Sequence, residues 1–477
     1  VTSSKQHMDQ RRGYVLLTVG IGTFLSTLNT SITNTILPVL ERSLQITLSQ
    51  SAWITMIYLL VLSLFILPMG RLSDVWGHRY IILTGFAIFT CAAVICGLSN
   101  HYGLLLWGRA LLALAGAMIL SVGPALITTT FPLEQRGRVL GIQAIMTYLG
   151  LSLGPTLGGW LTQLWGWPVT FFASVPFSVT GFILGVWAVP KVVVEHHRRM
   201  DWKGFILFMV SMTALFLLLN SHMFTQHRSV MMWSLFIIHV STGCAFIWVE
   251  RKHPDPILNL KLFRRRNFCF GTCGAFFIYL CFFLVLFLLP FYFDRVLQFA
   301  PSTIGTYLTI TPVVMTICAP VAGTLSDRTG PRVLAVSGMT ICTGGLIWFG
   351  SMIHWMGAEK LWVLVVGLIL VGLGTGMFAA ANHSAVMGAA PRTHQGMASG
   401  ALSTSRYVGM MAGITIGGVL FEWSVRPLTD DGDMSEVAVQ AFSMVMQVGA
   451  VFGLLGIMCA FAMKNSELNE QSSSQNL

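Results

Sequence analysis

Few side chains in this sequence can do chemistry, and most of them stand where charge is costly. Arg109 and Arg406 lie inside long apolar runs. An arginine at mid-bilayer costs about 2.5–3.5 kcal/mol on insertion scales, so Arg109 is expected to face protein rather than lipid, and Arg406 carries the same cost. Asn382-His383 closes another apolar run. A histidine there is either a hydrogen-bonded structural group or one that takes up a proton near neutral pH. Asp294 and Glu422 are the acids nearest to apolar runs, and the others fall in loops or tails. Each reads as a solvated cap or as a proton acceptor. The nine cysteines lie in apolar runs, and no histidine or carboxylate joins Cys269 and Cys273, one helical turn apart. They read as packing residues, with neither a metal site nor a disulfide framework.

One charged stretch occurs twice. Gly70-Arg71-Leu72-Ser73-Asp74-Val75-Trp76-Gly77-His78-Arg79 returns as Gly323-Thr324-Leu325-Ser326-Asp327-Arg328-Thr329-Gly330-Pro331-Arg332, a constant shift of 253. The paired glycines permit close backbone approach. Asp74 could accept from Arg79 or from an exposed helix N-terminus. Read plainly, this is a charged turn. The positions that match are Gly70, Asp74, Gly77 and Arg79, with Gly323, Asp327, Gly330 and Arg332.

The elements that position these residues follow from composition. Hydrophobic residues make up 55% of the 477 and charged residues only 10%, against about 25% charged in a soluble domain. This composition describes a polytopic, all-α membrane protein. A helix needs about 20 apolar residues to cross a bilayer, and fourteen such runs are found, the first near 14–38 and the last near 440–463. Arg11-Arg12 precede a first run without a small-residue cleavage site, so it reads as a retained span. The net charge of +10 does not point to nucleic acid. Twenty-one of the 28 basic residues fall in the N-terminal segment, alternate loops and the residue after the last span, against five in the other loops. That bias is expected to place both termini in the cytoplasm of a multi-pass plasma (inner) membrane protein.

A second repeat divides the chain. Gly137, Gly141, Gly150, Gly154, Gly158 and Gly159 recur at Gly396, Gly400, Gly409, Gly413, Gly417 and Gly418, shifted by 259 throughout. Two homologous six-helix halves follow, with an unpaired two-helix insert between them. The expected organisation is a cytoplasmic segment 1–13, a first half 14–190, an inserted pair with its flanking loops 191–261, a second half 262–464 and a cytoplasmic tail 465–477. Two parallel halves suggest rocking that exposes a site to alternate sides. No nucleotide-binding loop appears, and no cluster of carboxylates or histidines suggests an intramembrane enzyme.

These residues carry a resemblance. The chain resembles the major facilitator superfamily, specifically its 14-helix drug:proton antiporter branch, over nearly its whole length. The repeated turn is similar to that family's loop between the second and third helices. Leu106–Arg109 with Gly116 resembles its fourth-helix motif. Gly150–Gly159, with Pro155 as a kink, resembles the fifth-helix signature of exporters, and Leu28–Pro38 its first-helix motif; Trp53 and Tyr58 fit its second helix. The resemblance implies alternating access, a gate at the two turns and a hinge at Gly150, Gly154, Pro155, Gly158 and Gly159 with Gly409, Gly413 and Gly417, where the halves slide. It makes Asn29, Asn34, Trp53, Tyr58, Arg109, Asp294, Asn382, His383 and Arg406 candidates for the substrate or proton path. Arg406 has Thr147 at its repeat position and is read equally as a packing residue. The first-helix motif of the branch usually has an aspartate where this chain has Asn29, and asparagine carries no titrating proton.

The expectation is a non-enzymatic exporter of small amphipathic compounds, driven by the proton gradient with no cofactor. Its substrates are neutral, weakly polar or anionic, because acids are nearly absent from the spans. It would work as a monomer in the bilayer, alone or with envelope partner proteins, with no nucleic acid. The alternatives are a facilitator or a metabolite or lipid exporter without proton coupling, and a receptor-like protein without transport.

Overall fold

The computed structural model describes residues 2–190, 201–219, 228–253, 256–356, 360–391, 395–425 and 434–464. The expected tail 465–477, the loop 191–200 and the side chain of Asp327 lie outside the described residues.

The described residues are helical almost throughout. The first half comprises α1 (Thr2–Leu44), α2 (Leu48–Trp76), α3 (His78–Gly97), α4 (Tyr102–Thr130), α5 (Leu133–Trp165), α6 (Pro168–Phe172) and α7 (Val175–Ala188). The insert is α8 (Trp202–Leu219) and α9 (Arg228–Lys252). The second half is α10 (Arg266–Arg295), α11 (Pro301–Thr329), α12 (Pro331–Met356), α13 (Leu361–Ala389), α14 (Gln395–Val425) and α15 (Met434–Ala462). Helices α6 and α7 together form one span, so fourteen membrane-length segments are present among the described residues. Twelve of them are long and apolar enough to cross a bilayer. The other two, α5 and α14, carry the glycine ladders.

Two expectations need correction. The first helix begins at Thr2, so the segment expected at 1–13 continues α1. Hydropathy marks the part of a helix that meets lipid, whereas the hydrogen-bond ladder runs on through polar residues of good helix propensity. The sixth span is divided at Ala173-Ser174, where Pro176 removes a backbone donor from the start of α7.

Local sequence sets the boundaries. Thr47 and Gln50 form a reciprocal capping box before α2, with bonds of 3.2 and 2.9 Å. His101 caps α4 by accepting from the Leu104 amide, and Asp201 caps α8 through the Gly204 amide. Gly77 and Gly330, the second glycines of the two charged turns, have φ of +93° and +85°. A side chain in that region costs about 1–2 kcal/mol, so Gly77→Ala and Gly330→Ala are each expected to lower the melting temperature in detergent. Unchanged melting in both would contradict a conformational role for these glycines.

The fold divides into two compact units, residues 1–257 with 299–309, and 258–298 with 310–477. The inserted pair therefore belongs with the first unit. There α8 packs on α2 through Trp53–Phe216 and Phe65–Phe205 edge contacts, with ring centroids 5.0 and 6.0 Å apart. Within the first unit α1 packs on α5 and α7; within the second, α10 packs on α14 and α15. The outer face of α9 leaves Trp233, Phe236, Ile237 and Trp248 exposed, as befits a helix that meets lipid.

Candidate functional site: a buried polar seam in the first unit

In α1, Ser26, Asn29, Thr30, Thr33 and Asn34 recur at helical spacing and all are buried. This is one stripe of a 3.6-residue helix. The hydroxyls largely satisfy themselves: Ser26, Thr30 and Thr33 donate to the carbonyls of Gly22, Ser26 and Asn29 at 3.0, 3.0 and 2.8 Å. Two contacts from α2 bracket the stripe. The Tyr58 hydroxyl donates to the Ser26 carbonyl at 3.0 Å, and Thr55 Oγ1 donates to Asn34 Oδ1 at 2.9 Å.

From α4, Arg109 reaches the same stretch of α2. It is 0% exposed. Its Nε donates to the Ile54 carbonyl at 3.1 Å, and its guanidinium carbon lies 4.4 Å from the centroid of the Tyr58 ring. Gly116 keeps this arrangement open, because a Cβ there would lie 3.2 Å from the Tyr58 hydroxyl. The arginine thus has one hydrogen bond and one aromatic face, and Nη1 and Nη2 have no hydrogen-bond partner. Nδ2 of Asn29 and Nδ2 of Asn34 are likewise buried and unpartnered. Each such group costs about 1–3 kcal/mol, and more when it is charged. Of the sequence candidates, the structure brings Asn29, Asn34, Tyr58 and Arg109 to one seam. Sequence reading missed Ser26, Thr55 and the Ile54 carbonyl, although the 26/29/30/33/34 spacing in an apolar helix signals the stripe.

Trp53 takes another position, against Phe216 of α8, where it anchors the insert. In the second unit, Asn382 is buried and its Nδ2 donates to the Gly271 carbonyl of α10 at 3.0 Å. Arg406 lies over the Tyr279 ring at 4.5 Å. His383 is exposed, and Asp294 and Glu422 are partly buried. Two acids that sequence reading left in loops are buried. Asp201 and Glu250 converge on Gly204, where a Cβ would meet Asp201 Oδ2 at 2.4 Å and Glu250 Oε1 at 2.9 Å.

In the first charged turn, Arg79 is directed to the C-terminal end of α7. It donates to the carbonyl of Val186 at 2.7 Å and also to that of Val189. Asp74 has Arg71 at 3.9 Å, and Arg71 also reaches the Pro256 carbonyl after the insert. Ser73 Oγ contacts His78 Nδ1 at 3.1 Å. In the second turn, Arg332 lies 5.8 Å from the Phe461 ring, and the position at Gly323 is open.

The glycine ladders face the first helix of their own half. A Cβ at Gly150 or Gly154 would meet Phe24 O at 2.6 Å or Ser31 Cβ at 2.6 Å, and one at Gly158 would meet Ile32 at 3.3 Å. Ser31 Oγ also donates to the Leu151 carbonyl at 2.9 Å. Gly159 instead abuts the Pro301 carbonyl, and the Pro155 carbonyl lies against Gly305, both in the stretch of α11 that groups with the first unit. Gly409 and Gly413 press on the Phe276 and Leu280 carbonyls of α10, and Gly417 touches Leu288.

The family model described as Major Facilitator Superfamily matches residues 19–354 and 271–476. The chain belongs to this superfamily. The superfamily accounts for the two overlapping matches over repeated halves, and it makes the protein a multi-pass membrane transporter rather than an enzyme. Among relatives, the riboflavin transporter RibZ of Clostridioides difficile is 29% identical over 406 residues, covering 85% of this chain and 87% of that protein. The multidrug resistance protein Stp of Mycobacterium tuberculosis is 28% identical over 423 residues, covering 87% and 77%. A solved structure of a bacterial homologue of the human lysosomal transporter Spinster shares the facilitator fold. Its TM-score is 0.66 at 14% identity, covering 94% of this chain and 96% of that one.

Proposed function

We infer that this facilitator-family protein exports small amphipathic compounds by alternating access, in exchange for protons and without a cofactor. The observation that supports this reading is Arg109, a fully buried charge held by one carbonyl and one tyrosine ring inside an apolar bundle. Ionisable groups at such depth mark transport or proton pathways. Similarity to a multidrug resistance protein favours a broad range of amphipathic substrates. Placement in the plasma (inner) membrane with both termini cytoplasmic, as a monomer, belongs to the same reading and rests on the distribution of basic residues.

The test uses inverted vesicles with an imposed pH gradient and a panel of amphiphiles. Collapse of the gradient on addition, lost in an Arg109 variant, supports antiport. A second reading is favoured by Asn29, which is 2% exposed and carries no titrating proton: a facilitator, or a metabolite or lipid exporter not coupled to protons. A relative named as a riboflavin transporter is compatible with that reading. Substrate flux indifferent to the gradient would select it, and no flux over the whole panel would overturn both.

The charged turn is assigned a gating role in this reading. Asp74→Asn is expected to lower flux several-fold at equal membrane expression, because Arg71 would lose its ion-pair partner. Equal flux at equal expression would remove the turn from the mechanism.

A further inference from the structure

The polar seam holds four donor atoms that lack acceptors. Arg109 Nη1 and Nη2, Asn29 Nδ2 and Asn34 Nδ2 are all buried and unpartnered. Three acceptors along the seam are engaged. The Ile54 carbonyl takes Arg109 Nε, the Ser26 carbonyl takes Tyr58 and Thr30, and Asn34 Oδ1 takes Thr55. No acid is available within these helical stretches: residues 13–40, 48–73 and 102–133 contain neither Asp nor Glu. Among the described residues the buried acids are Asp201, just before α8, and Glu250, in the last turn of α9. A dehydrated guanidinium with a free fork, on the same seam as two unpartnered carboxamide N–H groups, therefore lacks a compensating negative charge.

We propose that the seam between α1, α2 and α4 binds a singly charged anionic group as the counter-charge to Arg109. The carboxylate of an amphiphilic substrate, or a free halide, supplies this charge. The inference rests on the transporter reading and names its substrate class. A carboxylate takes two parallel bonds from the guanidinium fork, and the amides of Asn29 and Asn34 provide further donors along the stripe. A cationic compound meets the like charge of Arg109 here, so the seam selects against it.

The experiment reads thermal unfolding of the purified protein in detergent. It titrates benzoate and, separately, chloride, each over a constant sulfate background whose divalent anion does not match a singly charged site. Binding to the folded state raises the melting temperature with saturation, by about 3 °C or more at concentrations well above the dissociation constant. A rise with benzoate alone assigns the substrate's carboxylate, and a rise with chloride assigns the halide. Asn29→Asp, or Asn34→Asp if that variant does not fold, places a carboxylate on the seam. Either is expected to abolish the anion-dependent shift. Wild-type melting unmoved by both anions, or an aspartate variant that shifts as the wild type does, would overturn the proposal. Because no gradient or flux enters this measurement, its failure is distinct from failure of the transport reading, which the vesicle assay decides.

Discussion

Arg109→Met is expected to lower transport at least ~100-fold while leaving the melting temperature within a few degrees of wild type. The two effects separate because opposing stability terms are of similar size. The substitution removes a charge-assisted bond to the Ile54 carbonyl, worth about 1.5–3 kcal/mol, and a desolvated contact with the Tyr58 ring, worth about 2 kcal/mol. It also removes two buried donors that have no partner, each costing about 1–3 kcal/mol. Methionine fills much of the vacated volume. Transport has no such compensation, since the only charge on the seam is lost. Arg109→Lys keeps the charge but not the planar fork, and an intermediate rate is expected. Flux within threefold of wild type for Arg109→Met would remove the arginine from the mechanism. A fall of more than about 10 °C in melting would instead make it a structural strut.

Gly413→Ala should be strongly destabilising, and Gly409→Ala likewise. A Cβ at these positions would lie 2.4 Å from the Leu280 carbonyl oxygen and 2.3 Å from that of Phe276. Both obstacles are backbone, so α14 must move away from α10. Overpacking of this kind costs about 1–3 kcal/mol, and loss of a close helix contact across several turns adds to it. Gly344 in α12 is the internal control, because nothing lies within 4 Å of its Cβ position. There alanine removes a helix-weakening glycine and is expected to stabilise by about 0.5–1 kcal/mol. Opposite signs of the melting shift at Gly413 and Gly344 would confirm that the ladder works by contact. Equal shifts would mean that the ladder reflects glycine's helix propensity alone.

The spans and the two halves were legible because both are written in one dimension. Apolar run length reports bilayer thickness, and a constant shift between Gly150 and Gly409 reports duplication. Partners across helices were not legible, because they depend on how each helix is rotated. Asp74 and Arg79 share a turn, yet Arg79 goes to the carbonyls of Val186 and Val189. Trp53 and Tyr58 share a helix, but five residues apart they point along different directions, one to Phe216 and the other to Ser26. The ladder glycines were expected where the halves slide; Gly150, Gly154 and Gly158 close α5 onto α1, while Gly159 abuts Pro301 of α11, a division that spacing alone does not give. Asp201 and Glu250 passed for loop residues because burial by a neighbouring helix leaves no trace in local composition.

The close fit of α5 on α1 and of α14 on α10 bears on how the chain assembles in the membrane. A helix whose small residues are cut to one neighbour gains that contact only once the neighbour is in place. Each ladder helix is the fifth of its half, and the helix it fits, α1 or α10, emerges from the ribosome first. Synthesis order thus supplies each ladder helix with its partner in advance. A chain permuted so that α5 precedes α1 would keep every contact of the finished fold and lose that advantage during biogenesis.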